Sequence, residues 1–521
     1  MNLIAPLLLL PLVAADGKPA QKFPLGKETT YVTGPLDKEG YIDYEAALND
    51  RLGKSITPEK NANVLLWKAF GPRPEGGKGM PVEFFKRLGI DEPPPGGAYF
   101  IGLGTFMKDQ LKLKQSEIDV FYDDVSRAGA RPWAAKVYPH IAAWLKANEK
   151  PLAVVIEATK RPEYFNPLVS RRNDKEPGLL LAALLPGVQK CRELVSALAA
   201  RAMLRVAEGK FDEAWQDLLA CHRLGRLVAR GASLIEGLVG IAVNQIASNA
   251  DLAYLERANL TAKQVQNRLK DLQGLPPMPV MADRIDVGER IMYLNTLQVI
   301  RRRGSAFLEE LAPRMERPAG GPPMKSKAEE LKALAMIDWE PALRNGNRWY
   351  DRLVGALRLK DRADREKALE KIDQDLKRLA ASPTNLAKLF QGKDAPDKMF
   401  GKVIGDFLIG RLMPAFRKVQ NAYDRTEQVQ RNLQVAFALA GYHREHGRYP
   451  AKLDDLAPKY LAAVPNDLFS GKALVYRPME KGYLFYSVGV NGKDEQGRSF
   501  DDDPPGDDLV VRMPLPELKG R

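Results

Sequence analysis

The densest group of potential ligand or acid–base donors in this sequence lies near its end. Asn491, Asp494, Asp501, Asp502, Asp503, Asp507 and Asp508 fall within eighteen residues. Calcium takes six to eight oxygens from carboxylates, amides and carbonyls, and carboxylates this close repel one another unless a cation or solvent lies between them. Gly492, Gly497 and Gly506 allow the tight turns such a loop needs. The run lacks EF-hand spacing, because no Asp-x-Asp-x-Asp-Gly series ends in a Glu at the twelfth position. The alternative is a solvated acidic loop.

Other chemistry is sparse. The chain has four histidines, His140, His222, His443 and His446. Cys221 and His222 are neighbours, and neighbours on a helix do not face each other, so they make a poor nucleophile–base pair. His443 and His446 are three apart and could share a helix face, but a zinc site needs further ligands and no His-Glu-x-x-His or its inverse occurs. Gly102-Leu103-Gly104 lacks the third glycine and the strand–helix setting of a dinucleotide fingerprint. No Gly-x-Ser-x-Gly and no complete phosphate-loop Gly-x-x-x-x-Gly-Lys-Ser/Thr are present. A carboxylate pair for glycoside hydrolysis depends on a separation that only tertiary structure sets. No catalytic residue is assigned.

Leu3 to Val13 is an apolar run broken by Pro6 and Pro11, followed by Val13-Ala14-Ala15 and the polar Asp16-Gly17-Lys18. A short apolar stretch ending in small residues reads as a signal peptide, residues 1–15. It is too short to span a bilayer, which needs roughly 20 residues. The n-region carries no side-chain charge, and the alternative is a buried N-terminal element. No later segment reaches transmembrane length, so a periplasmic or secreted protein is expected. The net charge is +13. Acids and bases alternate, as in residues 360–378, which suits solvated helix faces. Without a zinc finger, RNA-recognition signature or basic region, nucleic acid is not an expected partner; an envelope protein or acidic polymer is.

The chain divides into an N-terminal helical region with Gly/Pro-rich loops (16–180), a helical hairpin region (181–275), a further helical region (276–424) with a linker at 317–323, and a C-terminal α+β domain (425–521). The fold class is mainly α, a multi-helix body with that small domain. Thr57-Pro58-Glu59 predicts a helix start and Gly71-Pro72 its stop. Pro139 and Pro151 predict two more helices joined by residues 148–150. Leu194, Leu198, Ala202 and Val206 recur every four residues, and Gly209-Lys210 turns the chain into a second helix carrying Trp215, Leu218, Leu219 and Leu224. In such a hairpin Cys191 and Cys221 lie about 10 Å apart along the axis. A disulfide needs Cα atoms within about 7 Å, so two buried free thiols are expected. A helix over residues 282–303 ends in Arg301-Arg302-Arg303, where cations suit the helix dipole.

The segment 188–228 resembles a single tetratricopeptide-type hairpin: Gly209 ends its first helix, Phe211 packs under the turn and Ala214 allows close contact. No second unit follows at a spacing of about 34 residues, so a repeat array is not expected. At the C-terminus, His446-Gly447-Arg448-Tyr449-Pro450, then Tyr483 to Gly489, Asn491-Gly492 and Asp507-Asp508-Leu509 resemble the periplasmic domain of the major pseudopilin of type II secretion. That resemblance covers about 90 residues and implies a helix, strands and a calcium loop, with Asn491, Asp494, Asp503, Asp507 and Asp508 as the candidate ligands of a Ca²⁺ ion and Asn491 where the family usually shows Asp. It departs from the family in lacking the apolar filament-forming helix and its processing signature. Strands are expected at residues 473–477, 483–488 and 509–513. The reading that follows is an exported, non-catalytic envelope protein acting as a binding or scaffold module. The alternatives are an envelope-polymer hydrolase using carboxylates of the helical body and an accessory of a secretion apparatus.

Overall fold

Short helices separated by Gly- and Pro-rich loops form the N-terminal third: α1 (Tyr44–Leu52), α2 (Ala62–Phe70), α3 (Val82–Leu88), α4 (Leu103–Asp109), α5 (Gln115–Ala130), α6 (Pro139–Ala147) and α7 (Glu149–Thr159). The computed structural model describes residues 22–76, 79–170, 178–183, 185–304, 334–335, 337–381, 398–413 and 416–518. The signal-peptide segment and the 317–323 linker lie outside them. Gly71 stops α2 with φ of 78°, as expected. The start differs. Thr57 to Lys60 form a turn, and Asn61 caps α2 by accepting from the Asn63 amide. Asn61 wins because its side chain also bonds both backbone groups of Phe165, fixing the cap from across the fold. Between α6 and α7 only Asn148 is non-helical, so Pro151 lies inside the first turn of α7 rather than at its start.

The predicted hairpin is present as α8 (Pro186–Ala207) and α9 (Phe211–Val228), with Gly209 at φ 76° in the turn. Leu194, Leu198, Ala202, Val206, Trp215 and Leu218 are all buried. A third helix, α10 (Leu234–Arg257), lies against both and starts with a Ser233/Glu236 capping box. A Cβ on Gly240 would stand 2.5 Å from the Gly225 carbonyl oxygen, so this glycine pair lets α9 and α10 approach to backbone contact. Cys191 and Cys221 are free and buried. After α11 (Ala262–Gln273), a continuous helical stretch comprises α12 (Met281–Arg284), a π-helical turn (Ile285–Glu289) and α13 (Arg290–Arg303). Then follow α14 (Glu340–Leu357), α15 (Arg362–Ala381), α16 (Lys398–Leu412) and the 31-residue α17 (Phe416–His446).

The chain ends in an antiparallel sheet of order β1-β2-β3: β1 (Val475–Met479), β2 (Gly482–Ser487) and β3 (Leu509–Met513). Val475 faces Tyr486 and Met479 faces Gly482, leaving a tight turn at Glu480-Lys481. Leu509, Val511 and Met513 alternate onto the buried side of β3. The molecule is thus mainly helical with a small C-terminal sheet. Among the described residues no helix is long and apolar enough to cross a membrane.

Two hydrophobic cores organise these elements. One gathers residues of α2 to α11 together with Phe437, Tyr483, Phe485 and Val511 of the C-terminal segment. The other gathers Tyr44, Leu48, Leu294, Leu297, Leu343, Leu353, Ile404 and Leu408. Helix α17 joins them, with Phe416 and Tyr423 in the second core and Leu433 to Leu439 in the first. The 424/425 boundary read from the sequence falls inside this helix.

Candidate functional site

A groove of about 1250 Å³ lies between two Gly/Pro loops (residues 71–76 and 92–102), the α6–α7 junction and the start of α8. Its walls are held by specific contacts. Tyr99 lies so close to Gly71 and Gly97 that a Cβ on either would come within 2.6 Å of its ring. Its hydroxyl donates to the Pro94 carbonyl at 2.7 Å. Asn148, wholly buried, accepts from the Ile101 amide at 2.8 Å and donates to the Ile101 carbonyl at 3.0 Å. Trp144 Nε1 donates to the same carbonyl at 2.7 Å. A loop that would otherwise lose its backbone hydrogen bonds on burial is therefore satisfied by side chains.

Phe70 and Phe100 form the apolar floor. Over it lies Lys190, its ammonium 6.0 Å from the Phe100 ring centroid and 2.8 Å from Glu193 Oε2. A Cβ on Gly102 would stand 2.7 Å from that carboxylate oxygen and 2.8 Å from the ammonium, so a glycine here is required for the pair to sit where it does. Across the groove burial raises the Glu75 carboxyl above its ordinary range; Lys190 opposes that shift and Glu193 reinforces it. The groove thus holds two carboxylates and a lysine within electrostatic reach, over aromatic rings and between proline walls. It can bind an extended chain, and two carboxyls in unlike surroundings are also an arrangement of acid–base hydrolysis.

The acidic loop is organised mainly by protein donors. Asp507 pairs with Arg425 and accepts from the Asn491 amide. Asp502 takes two bonds from Arg512, at 2.9 and 2.8 Å, and these hold its carboxyl well below the usual range. Asp494 accepts from the Tyr486 hydroxyl at 2.9 Å and the Gln496 amide at 2.7 Å. Asn491 donates to Glu495, and Asp503 is exposed. Asp508 is buried; one oxygen accepts from the Gly497 amide at 2.8 Å and the other, Oδ1, has no hydrogen-bond partner among the described residues. Burial pushes its carboxyl up to about 6. Among the described residues no three His, Cys, Asp or Glu side chains converge as a metal site would require.

The histidines do not assemble a centre. His222 is sealed between α9 and α10, with Nε2 2.6 Å from Asp251 Oδ2 and Nδ1 3.0 Å from Asn244 Oδ1. Arg226 joins this network, reaching Asn244 at 3.0 Å and Gln430 of α17 at 3.1 Å. Cys221 points elsewhere, toward the Val195 carbonyl, as expected of helix neighbours. His443 stacks on Tyr449 and His446 lies beside Tyr442. Arg301 and Arg302 lie against Phe23 and Tyr41. Sequence reasoning missed the groove. Its local signals were the Gly/Pro-rich loops of the N-terminal region and Gly102, which caps α4 and lines the groove.

No family model matches the chain, and neither a curated protein nor a solved structure matches it.

Proposed function

We propose that the chain is an exported binding module of a bacterial envelope, and that the groove beside α8 is where it takes its ligand. The observation that carries this reading is the groove itself. At about 1250 Å³ it exceeds the ~300–1,000 Å³ of small-molecule pockets, and its proline walls, aromatic floor and mixed charges suit an extended polymer. Export rests on the Leu3–Val13 run and the small residues that follow it. The test is retention of the full-length chain on isolated envelope polymer and on envelope membranes. Lys190→Ala should reduce retention at least about tenfold, a cost of roughly 1.4 kcal/mol. Retention unchanged by this substitution would remove the groove from the function.

A hydrolase is the second reading, favoured by Glu75 and Glu193 sharing the groove. Soluble fragments released from the polymer by the wild type, and not by Glu193→Gln, would establish it over simple binding.

For the C-terminal unit, the pseudopilin-like reading and the secretion-accessory role both rest on the sequence resemblance. Asp508 Oδ1, buried and without a hydrogen-bond partner among the described residues, favours a Ca²⁺ ion. The arginine pairs of Asp502 and Asp507 oppose one. Thermal unfolding of the full chain in millimolar Ca²⁺ and in chelator decides between them. A bound ion at 100-fold its Kd adds about 2.7 kcal/mol, and the rise in Tm should vanish in Asp508→Asn. An unchanged melt would assign closure of the loop to the two guanidinium groups.

A further inference from the structure

A second concavity of about 280 Å³ has Leu103, Val125, Trp144 and Ile246 in its lining, with Tyr122, Arg192, Ser196 and Asn249 beside them. Glu193 belongs to both walls. Along α8 the combined lining runs from Lys190 to Ala199. At ~1.5 Å per residue that is about 14 Å, the length of about four residues of extended chain at ~3.3 Å each.

The polar groups at the junction are only half used. An ammonium carries three donors. Lys190 gives one to Glu193 Oε2, and its side chain is only 11% exposed. The other oxygen, Glu193 Oε1, has no protein donor among the described residues. The dyad therefore presents spare donors and a spare acceptor side by side, over an apolar floor where such bonds are strengthened by the low local dielectric.

We propose that the two concavities form one trough for an extended peptide, with a backbone amide on the Lys190–Glu193 dyad and an apolar side chain in the chamber beside Trp144. The proposal rests on the groove being the ligand site. An amide offers a carbonyl to Lys190 and an N–H to Glu193 together. Proline walls and aromatic rings suit an extended backbone. A polysaccharide of plain hexoses would satisfy the dyad through hydroxyls, but it has no apolar branch to lie against Leu103, Val125, Trp144 and Ile246 in the chamber. That difference selects the peptide.

Fluorescence anisotropy on the full-length chain tests this with capped heptapeptides of Ser and Gly that carry Phe, Leu or Gly at the centre, and with a cellulose hexasaccharide. Phe- and Leu-centred peptides should bind about tenfold or more tighter than the Gly-centred one, as burial of several methylene groups requires. Ser196→Trp, which fills the chamber, should erase that preference and spare the weak binding of the Gly-centred peptide. Glu193→Ala should weaken all three. Ala130 lines the same chamber, and Ala130→Leu serves as a second filler if Ser196→Trp loses helical circular dichroism. Equal binding of the three peptides, indifferent to both fillers, would overturn the chamber and leave the groove as the binding site. Binding of the hexasaccharide alone, lost in Lys190→Ala, would overturn the peptide in favour of a glycan. Binding of no probe would overturn both this trough and the groove reading beneath it.

Discussion

Glu289 shows how one residue ties charge to stability. It sits in the π-helical turn, and its Oε1 accepts from the Leu234 amide at the start of α10, at 2.9 Å. Burial pushes its carboxyl up to about 7; Glu236 adds to the shift, while the Leu234 bond and Arg284 oppose it. The folded state therefore holds a proton that the unfolded state has already released. Stability from this group is complete below the unfolded value near 4.5, and it is lost as pH rises through about 7. Glu289→Gln keeps the acceptor and removes the titration. Denaturant unfolding at pH 5 and at pH 8 should show a smaller loss of stability in the variant than in the wild type. An unaltered difference would place the titration elsewhere. Neighbouring Gly288 explains why the turn is so exacting: a Cβ there would lie 1.9 Å from the Ala232 carbonyl oxygen.

At the scale of elements, the α8–α9 hairpin is fastened by charge as well as by its apolar stripe. Arg201 of α8 grips Asp217 of α9 through two bonds, at 3.0 and 2.7 Å, and Arg205 adds a third. Asp217 is fully buried and Arg201 nearly so. Burial raises the Asp217 carboxyl and the two arginines offset that rise. Replacing such a pair with apolar groups is often harmless, whereas removing one partner strands the other charge. Asp217→Asn should thus destabilise the protein by about 3–5 kcal/mol, read as a lower urea midpoint at unchanged slope. A loss below about 1 kcal/mol would mean that Arg201 finds water or another partner.

For the whole molecule, the question is whether the C-terminal unit stands alone. Phe437 of α17 lies 5.6 Å from the Trp215 ring, and Leu433 to Leu439 belong to the core of the helical body. The tail is tied as well: the Leu515 amide donates to Glu256 at 2.7 Å, and Arg131 reaches the Pro516 carbonyl at 2.6 Å. A fragment of residues 425–521 would expose that face, and small domains have little core to spare. It should lack a cooperative thermal transition, whereas in the full chain sheet and helical body should melt together. A sharp, reversible melt of the fragment would establish an autonomous domain.

The sequence by itself determined what neighbours along the chain decide. The stripe Leu194, Leu198, Ala202, Val206, the stop at Gly71, the turn at Gly209 and the strand over 509–513 rest on periodicity and φ preference, which act within a few residues. Burial and the free state of Cys191 and Cys221 followed from helix rise alone. Tertiary structure decided the rest. Asn61 rather than Thr57 starts α2 because Phe165, about a hundred residues away, bonds its side chain. Helix α17 runs through residue 425 because both cores claim parts of it. The groove forms because loops 71–76 and 92–102 meet Lys190 and Glu193, and the carboxylates of the acidic loop met arginines from α17 and β3. Such meetings are set by which faces must leave water together, and no local pattern encodes them.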